Sequence, residues 1–477
     1  MSGVLVSRVL PLYRGWMNAR LAAAVTAGKA AGLATRGLRR GGGTALPGLV
    51  ATRLAPDIVA RLGRQLGRGR VLITGTNGKT TTTRILAGAL EEAGVRYLNN
   101  REGSNLMRGI ATTLLAAAAP TGGIPGARAT LGLFETDEAT LPLAACALAP
   151  TVLTFTNLFR DQLDRYGEVD TVAAFWRDAL AAAPRDATLV LNADDPSVAE
   201  LSIDWAGPVH WFGLDDEAQA SEGGGAFDAR WCRVCGGTFA YSRRYFAHIG
   251  FWRCTGCGRE RPTPDTTAEG LELGLDQATF HVPTLGRVTM PLTGTYNVYN
   301  ALAAIATARV LGLADSAVVA GLAGVRAAFG RQEVVELEGR TLRLLLCKNP
   351  AGANQVLRLL AGLPGEGALN VVAALNDRFA DGQDVSWIWD VDYELVAGRI
   401  GNCWAAGDRA EDMALRLKYA GWPVPRLVTH SAEGLLDAVL SDTPAGADIF
   451  IVPTYTAMLD IRGELARRGA VQPFWDR

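Results

Sequence analysis

The chain has no acidic residue before Asp57, only four histidines among 477 residues, and no apolar run long enough to cross a membrane. Each shortage excludes something. Without a membrane-length run there is no spanning helix to place. The formal net charge is −1, with 47 basic against 48 acidic residues, so no global field draws nucleic acid. Seven cysteines in so long a chain, four of them in two paired motifs, do not make a disulfide framework and suit a reducing cytoplasm. The acid-free leader, residues 1–55, carries Arg8, Arg14, Arg20, Lys29, Arg36, Arg39, Arg40 and Arg53. Arg8 and Arg14 interrupt any secretory signal core. Residues 16–38 read as a basic amphipathic helix: either a solvated helix packed on the domain, or one resting on a partner or on anionic lipid at the inner membrane face. An organellar transit peptide has the same composition.

What the chain does have is RVLITGTNGKTTTT at 70–83. A short apolar strand, 71–74, runs into Gly75-Thr76-Asn77-Gly78-Lys79-Thr80-Thr81, and a helical pattern follows over 82–93. Backbone N–H groups of such a loop, with the positive end of the helix, surround a polyphosphate. Lys79 would reach the outer phosphates and the Thr80 hydroxyl would hold Mg²⁺. Gly75 and Gly78 let the backbone turn and approach the ligand. The general P-loop pattern wants a glycine where this chain has Ile73, so only the shorter form Gly-Thr-x-Gly-Lys-Thr is present. The bland alternative is a turn that happens to contain Gly-Lys-Thr, and the flanking strand and helix speak against it.

Further strands are expected at 130–135, 152–156 and 188–192 with helices between them, an α/β pattern with a parallel sheet. A polar break at 215–226 precedes a cysteine module, about 228–264, and short antiparallel strands follow over 271–292. A helix is expected from Asn297 to about Leu311, then a hinge at Gly330-Arg331-Gln332-Glu333. The resulting expectation is a first domain over 56–332 with the cysteine insert, and a second, smaller α/β domain over 333–477 with strands near 342–347, 369–374, 402–406 and 449–452.

Cys232-x₂-Cys235 and Cys254-x₂-Cys257 have the spacing of a four-thiolate Zn²⁺ site, closed and therefore structural. A redox pair or free thiols is the alternative. Seven arginines among aromatics in this module would also permit nucleic-acid contact, although a scaffold or docking role ranks first. Glu135 ends an apolar strand and is followed by Asp137 and Glu138, placed to hold Mg²⁺ beside a phosphate loop. Asn157 to Arg165 follows the next strand, and Asn192-Ala-Asp194-Asp195-Pro196 the one after. Polar groups at successive strand ends converge on one crevice. Asn297 and Asn300 open a helix, where they cap it or meet a nucleotide. Asp377, Asp381, Asp384, Asp390 and Asp392 cluster around two tryptophans in the second region; a solvated acidic loop is the plain alternative.

GTNGKTT, the strand-end Glu, NLFRDQLDR, NADDP, GTYNVYNALAA, GRQE and KNPAG, in this order over about 45–477, resemble the Mur ligase family. The cysteine insert, with RDQLDRYGE and ADGQDVSWIWD, resembles more narrowly the branch that amidates lipid II. The resemblance implies a Mur-ligase-like P-loop ATPase domain followed by an α/β domain. It also implies transfer of the γ-phosphate of ATP to the α-carboxyl of D-glutamate in the lipid II stem peptide, then attack by ammonia to give D-isoglutamine. By resemblance Lys79 and Thr80 handle phosphates and Mg²⁺, Glu135 holds Mg²⁺, Asn157 lies nearby, and Asn192, Asp194, Asn297 and Asn300 lie toward the nucleotide. Arg331 would link the two domains. Three departures stand out. Too few residues precede the loop for a UDP-binding domain, Gln162 stands where the family has a metal-binding histidine, and Cys347-Lys348-Asn349-Pro350 replaces an aspartate–histidine pattern.

No unassigned cysteine (Cys146, Cys347, Cys403) sits in a glycine-flanked elbow near a histidine, so this chain is not expected to hydrolyse glutamine alone. The resemblance implies a GatD-type glutaminase partner in a heterodimer, with Asp384 completing the partner's Cys–His triad. Two other functions remain open: a zinc-ribbon P-loop ATPase that binds nucleic acid, and another Mur-type ligase that adds an amino acid to a soluble acceptor.

Overall fold

The computed structural model describes residues 19–34, 46–100, 104–160, 169–220, 228–326, 331–365 and 367–472. Its first sheet contains β1 (Arg70–Thr74), β2 (Tyr97–Asn99), β3 (Leu131–Glu135), β4 (Val152–Phe155), β5 (Thr188–Asn192) and β6 (Val209–Leu214). Strands β7 (Phe239–Phe246) and β8 (Ile249–Cys254) form a separate antiparallel hairpin. Strands β9 (Thr266–Leu273), β10 (Ala278–Val282) and β11 (Gly286–Met290) complete the first sheet in the order β11-β10-β9-β6-β5-β4-β1-β3-β2. From β9 to β2 every pairing is parallel, while β9-β10-β11 is an antiparallel meander. The expected parallel strands are therefore present to within a residue or two, while the antiparallel stretch begins at Thr266, five residues before the expected 271.

The sheet is parallel because each strand is apolar on both faces and must be covered twice. On β1, Val71 and Ile73 face helices Lys79–Glu92, Thr295–Val310 and Asp315–Gly324, whereas Leu72 faces the opposite layer. β5 splits the same way, with Val190 on one side and Leu189 and Leu191 on the other. Burying alternate residues in two cores leaves no polar face to the central strands, so loops at the strand ends carry the chemistry.

Part of the basic leader is described. Residues 19–34 are helical and bury Leu21, Ala24 and Val25 in the second of those cores, at the spacing of one helix face. Helix Leu46–Leu54 crosses helix Met107–Ala117 closely: a Cβ on Gly48 would lie 1.9 Å from the Arg108 carbonyl oxygen. Arg20 donates to the Leu54 carbonyl, 2.7 Å, and Lys29 to that of Ala118. No helix among the described residues is long and apolar enough to cross a membrane.

The second sheet orders β12 (Arg331–Leu337), β13 (Arg340–Leu345), β14 (Leu369–Ala374), β15 (Ile400–Ala406), β16 (Val428–Thr429) and β17 (Asp448–Pro453) as β12-β13-β17-β14-β15-β16. All its pairings are parallel except the β12–β13 hairpin. At the expected hinge, Gln332 sits at φ 61° and the β12–β13 register slips between Arg331 and Glu333, a bulge at the start of the second sheet. Gly330 and the Arg331 side chain, like Gln162, lie outside the described residues.

Candidate active site

The loop after β1 is held from the side by the loop after β4. Gly75, at φ 136°, and Gly78, at φ 89°, take conformations that exclude a side chain. A Cβ on Gly75 would lie 2.0 Å from the Thr156 hydroxyl, and one on Gly78 1.9 Å from Asn300 Oδ1. Thr76 N–H donates to the Asn157 carbonyl, 2.9 Å, and the Phe159 N–H donates to the Thr76 hydroxyl, 2.9 Å. The Asn157 side chain accepts from Asn77 N–H, 2.9 Å, and donates to the Asn77 carbonyl, 3.1 Å. Asn157 thus spends both amide atoms on the glycine loop. Asn192 continues the brace by donating to the Thr156 carbonyl, 3.0 Å. The helix begins at Lys79, three residues earlier than the sequence pattern suggests, because Gly78 can take the left-handed cap position.

Lys79 is buried and pairs with Glu138 at 2.6 Å while donating to the Gly75 and Thr76 carbonyls. Burial works against its charge, but Glu138, aided by Glu135 and Asp137, more than offsets that, so its pKa is raised and the ammonium persists. Glu138 is the residue the sequence pattern underplayed, since an acid three positions past a strand end reads as an ordinary loop residue. Glu135 lies at the end of β3, and its carboxylate makes no hydrogen bond to another described residue. The Glu135 carboxylate and the Thr80 hydroxyl, in the first turn of the helix after the loop, are hard oxygen donors of the kind Mg²⁺ takes.

One residue does not go where it was expected. Asp194 is fully buried and turned away from the loop. It accepts from Arg261 Nε at 2.5 Å, Leu214 N–H at 2.8 Å and the Tyr299 hydroxyl at 2.5 Å. With three donors on its carboxylate it ties the cysteine module to the sheet, and it is not among the residues lining the cleft between the sheets. Asn157 and Asn192 line one crevice and Glu135 lies near Lys79, whereas Asp194 does not join them.

Between the two sheets lies an open cleft. Asn77, Gly78, Thr81, Asn157, Asn192, Tyr296, Asn297 and Asn300 line one side, and Leu345, Leu346, Ala351, Gly352, Gln355 and Val356 the other. Asn297 and Asn300 are joined to each other at 3.0 Å, and Asn297 also donates to the Thr293 carbonyl and to Gln332. Polar amides with apolar walls suit a flat heteroaromatic base with a phosphate tail running to Lys79.

A smaller pocket is lined by Arg160, Lys348, Asn349, Asp381, Asp384, Trp387 and Asp390, among others. Asn349 caps helix Pro350–Ala361 by accepting from Gly352 N–H, 2.8 Å, and donates to the Asn77 side chain, 3.1 Å. The pocket therefore abuts the glycine loop. Asp384 is exposed on its rim, and hydrogen bonds from the Ser386 hydroxyl and from the Ser386 N–H, the latter 2.8 Å, hold its carboxyl below the usual range. Three of the other four acids of that cluster are engaged. Asp381 caps helix Tyr455–Arg467 through Thr456, Asp377 pairs with Arg409 and Asp390 with Arg160. Burial pushes the Cys347 thiol up to about 12 and that of Cys403 to about 11, far from a thiolate nucleophile.

The sulfurs of Cys232, Cys235, Cys254 and Cys257 lie within 4.8 Å of one another, with Cys232–Cys257 at 3.8 Å and Cys235–Cys254 at 3.4 Å. Tetrahedral Zn–S bonds of about 2.3 Å require S–S separations near 3.8 Å. Backbone N–H groups of Gly237 and Cys257 point at Cys235 and Cys254 sulfur, which suits thiolate charge. The four residues fit zinc. Three arginines of the module are engaged by acids, Arg233 with Asp170, Arg243 with Asp215 and Glu217, and Arg261 with Asp194.

Two family models match the chain: the Mur ligase middle domain over residues 73–230 and the MurT ligase C-terminal domain over 346–458. The lipid II isoglutaminyl synthase (glutamine-hydrolyzing) subunit MurT of Streptococcus pneumoniae is 36% identical over 91% of this chain and 95% of its own. The protein of the same name from Staphylococcus aureus strain COL is 32% identical over 89% and 93%. Among solved structures, a pseudomurein peptide ligase type C from Methanothermus fervidus superposes with TM-score 0.64 at 20% identity, covering 85% of this chain and 80% of that one. Cleft, glycine loop and relatives agree, and the chain belongs to the MurT branch of the Mur ligase family.

Proposed function

We propose that the chain is the ATP-dependent synthetase half of a lipid II isoglutaminyl synthase, working with a GatD-type glutaminase. The observation that carries this reading is that Asn349 joins the glycine loop to the pocket on whose rim Asp384 stands. Phosphoryl acceptance and ammonia delivery would then share one continuous site.

ATP would lie in the cleft, its base toward Asn297 and Asn300 and its γ-phosphate toward Lys79. An α-carboxylate oxygen of the stem-peptide D-glutamate attacks the γ-phosphorus, the bond to the β–γ bridging oxygen breaks, and ADP leaves. Ammonia then attacks the acyl phosphate carbonyl. The C–O bond breaks, phosphate leaves with the electron pair, nitrogen sheds a proton, and the amide of D-isoglutamine remains. Lys79 supplies fixed positive charge where the transferring phosphoryl group develops negative charge. Thr80 and Glu135 would hold magnesium, which would supply neutralisation of phosphate charge. Asp384, ionised and exposed, is suited to orient an imidazole on the partner and stabilise its cation. The four cysteines hold a structural zinc. Pairing of Arg233, Arg243 and Arg261 with acids lowers the module's free positive charge, which weighs against a basic nucleic-acid surface.

The test is co-purification with a candidate glutaminase, then mass spectrometry of lipid II incubated with ATP and glutamine. Replacement of a hydroxyl by an amide supports the reading, and unchanged lipid II in an intact complex sinks it. Full glutaminase activity of a complex carrying Asp384→Asn would remove the role given to Asp384.

A further inference from the structure

The zinc hairpin does not stand away from the domain. Its tip, Phe246-Ala247-His248-Ile249, is buried in the first sheet's core, with Phe246 stacked on Phe159 at 6.1 Å and edge-on to Tyr299 at 5.7 Å. Three tethers fix its inclination: Trp252 Nε1 to the Ala193 carbonyl, 2.9 Å; Gly250 N–H to the Asp194 carbonyl, 2.9 Å; and Arg261 to the Asp194 carboxylate. The C-terminal domain grips the same tip, since Arg358 donates to the Tyr245 carbonyl at 3.0 Å. Phe246 and Ile249 are themselves wall residues of the large cleft, opposite Leu345 and Val356. The hairpin strands run straight from this wall to the cysteines: β7 ends at Phe246, β8 begins at Ile249 and ends at Cys254.

We propose that Phe246 contacts the base of the nucleotide and that the cysteine-bound zinc, by fixing the β7–β8 hairpin, sets the shape of that half of the nucleotide cleft. Zinc and nucleotide then bind cooperatively although their sites do not touch. Linkage makes the effect reciprocal: whatever factor zinc contributes to nucleotide affinity, the nucleotide returns to zinc affinity. The inference rests on the reading of the cleft as an ATP site.

The experiment uses the purified full-length chain loaded with zinc. Release of zinc to a coloured chelator is followed with and without saturating ATP and Mg²⁺, and ATP affinity is measured by calorimetry. Slower zinc release in the presence of ATP is expected. Phe246→Ala should raise the ATP dissociation constant about tenfold, the size of one aromatic–base contact, while bound zinc stays at one per chain. Phe246→Leu, which keeps the tip filled, should fall between the two and covers the case in which the alanine variant does not fold. If wild-type protein binds ATP but its zinc release ignores ATP, the coupling is overturned. ATP affinity unchanged in both variants overturns the base contact. If wild-type protein binds no ATP, the reading of the cleft fails first and takes this inference with it.

Discussion

Lys79 and Glu138 form the most consequential pair of side chains in the molecule. Both are buried, so the ammonium survives only because a carboxylate, or a phosphate, lies against it. Glu138→Gln removes the direct partner and leaves only Glu135 and Asp137 near that charge, and should cost about 3 kcal/mol. Saturating ATP should recover more of the lost melting temperature than it adds to wild type, because the phosphates replace the missing charge; calorimetric scans with and without ATP check this. Lys79→Ala should abolish ATP retention in equilibrium dialysis. Asp194 makes the opposite case. Its partner Arg261 is 67 residues away in sequence, so nothing local in NADDP marked it as a structural anchor. Asp194→Ala should destabilise the fold by about 3 kcal/mol or more in urea titration, having stranded a buried guanidinium. A variant of wild-type stability that had lost only nucleotide affinity would contradict that assignment.

At the scale of elements, the strands were legible because a buried parallel strand is a short apolar run bounded by turn residues, and here each run is also followed by its polar end group. Glu135, Asn157 and Asn192 were found that way. Less legible was what braces them, since the bonds between Asn157 and Asn77 span eighty positions. Helix Pro350–Ala361 shows one residue serving two elements, as Asn349 is both its cap and a ligand of the glycine loop. Asn349→Ala should cost about 1 kcal/mol of stability and also weaken ATP binding, whereas Asn349→Asp keeps the cap; thermal melts read against calorimetric affinities separate the two losses. The segment Tyr393–Arg399 is held to helix Ala410–Tyr419 by Arg416 and Glu394, two contacts of 2.8 and 2.9 Å. The hydrogen bond from Arg416 depresses the Glu394 pKa. A depressed folded pKa gives stability that is present above the ordinary carboxylate value and lost as pH falls through the lowered one. Glu394→Gln should therefore melt below wild type at pH 7, and the gap should close below about pH 4.

The whole molecule is two α/β units meeting over a cleft, with the cysteine hairpin wedged into the wall of that cleft. Two units and a four-cysteine insert could be read from motif order and spacing. That the insert's tip would be core, packed on Phe159 and Tyr299, could not, because its aromatics suited a free-standing module equally well. Mutating Cys254→Ser should therefore do more than empty a surface site. Proteolysis should cut within 228–264, and the melting temperature of the first unit should fall with it.

Gln332 leaves a last consequence. At the bulge that begins the second sheet, its amide nitrogen donates to the Thr293 carbonyl and the Tyr296 hydroxyl, and its oxygen accepts from Thr293 N–H and Asn297. Two donations and two acceptances from one planar group are a demand that, among side chains of this length, only glutamine meets. Exchanging its NH₂ for a negatively charged oxygen would turn one attraction, to the Thr293 carbonyl, into repulsion while barely altering size. Gln332→Glu is thus an isosteric way to unbolt one half of the enzyme from the other.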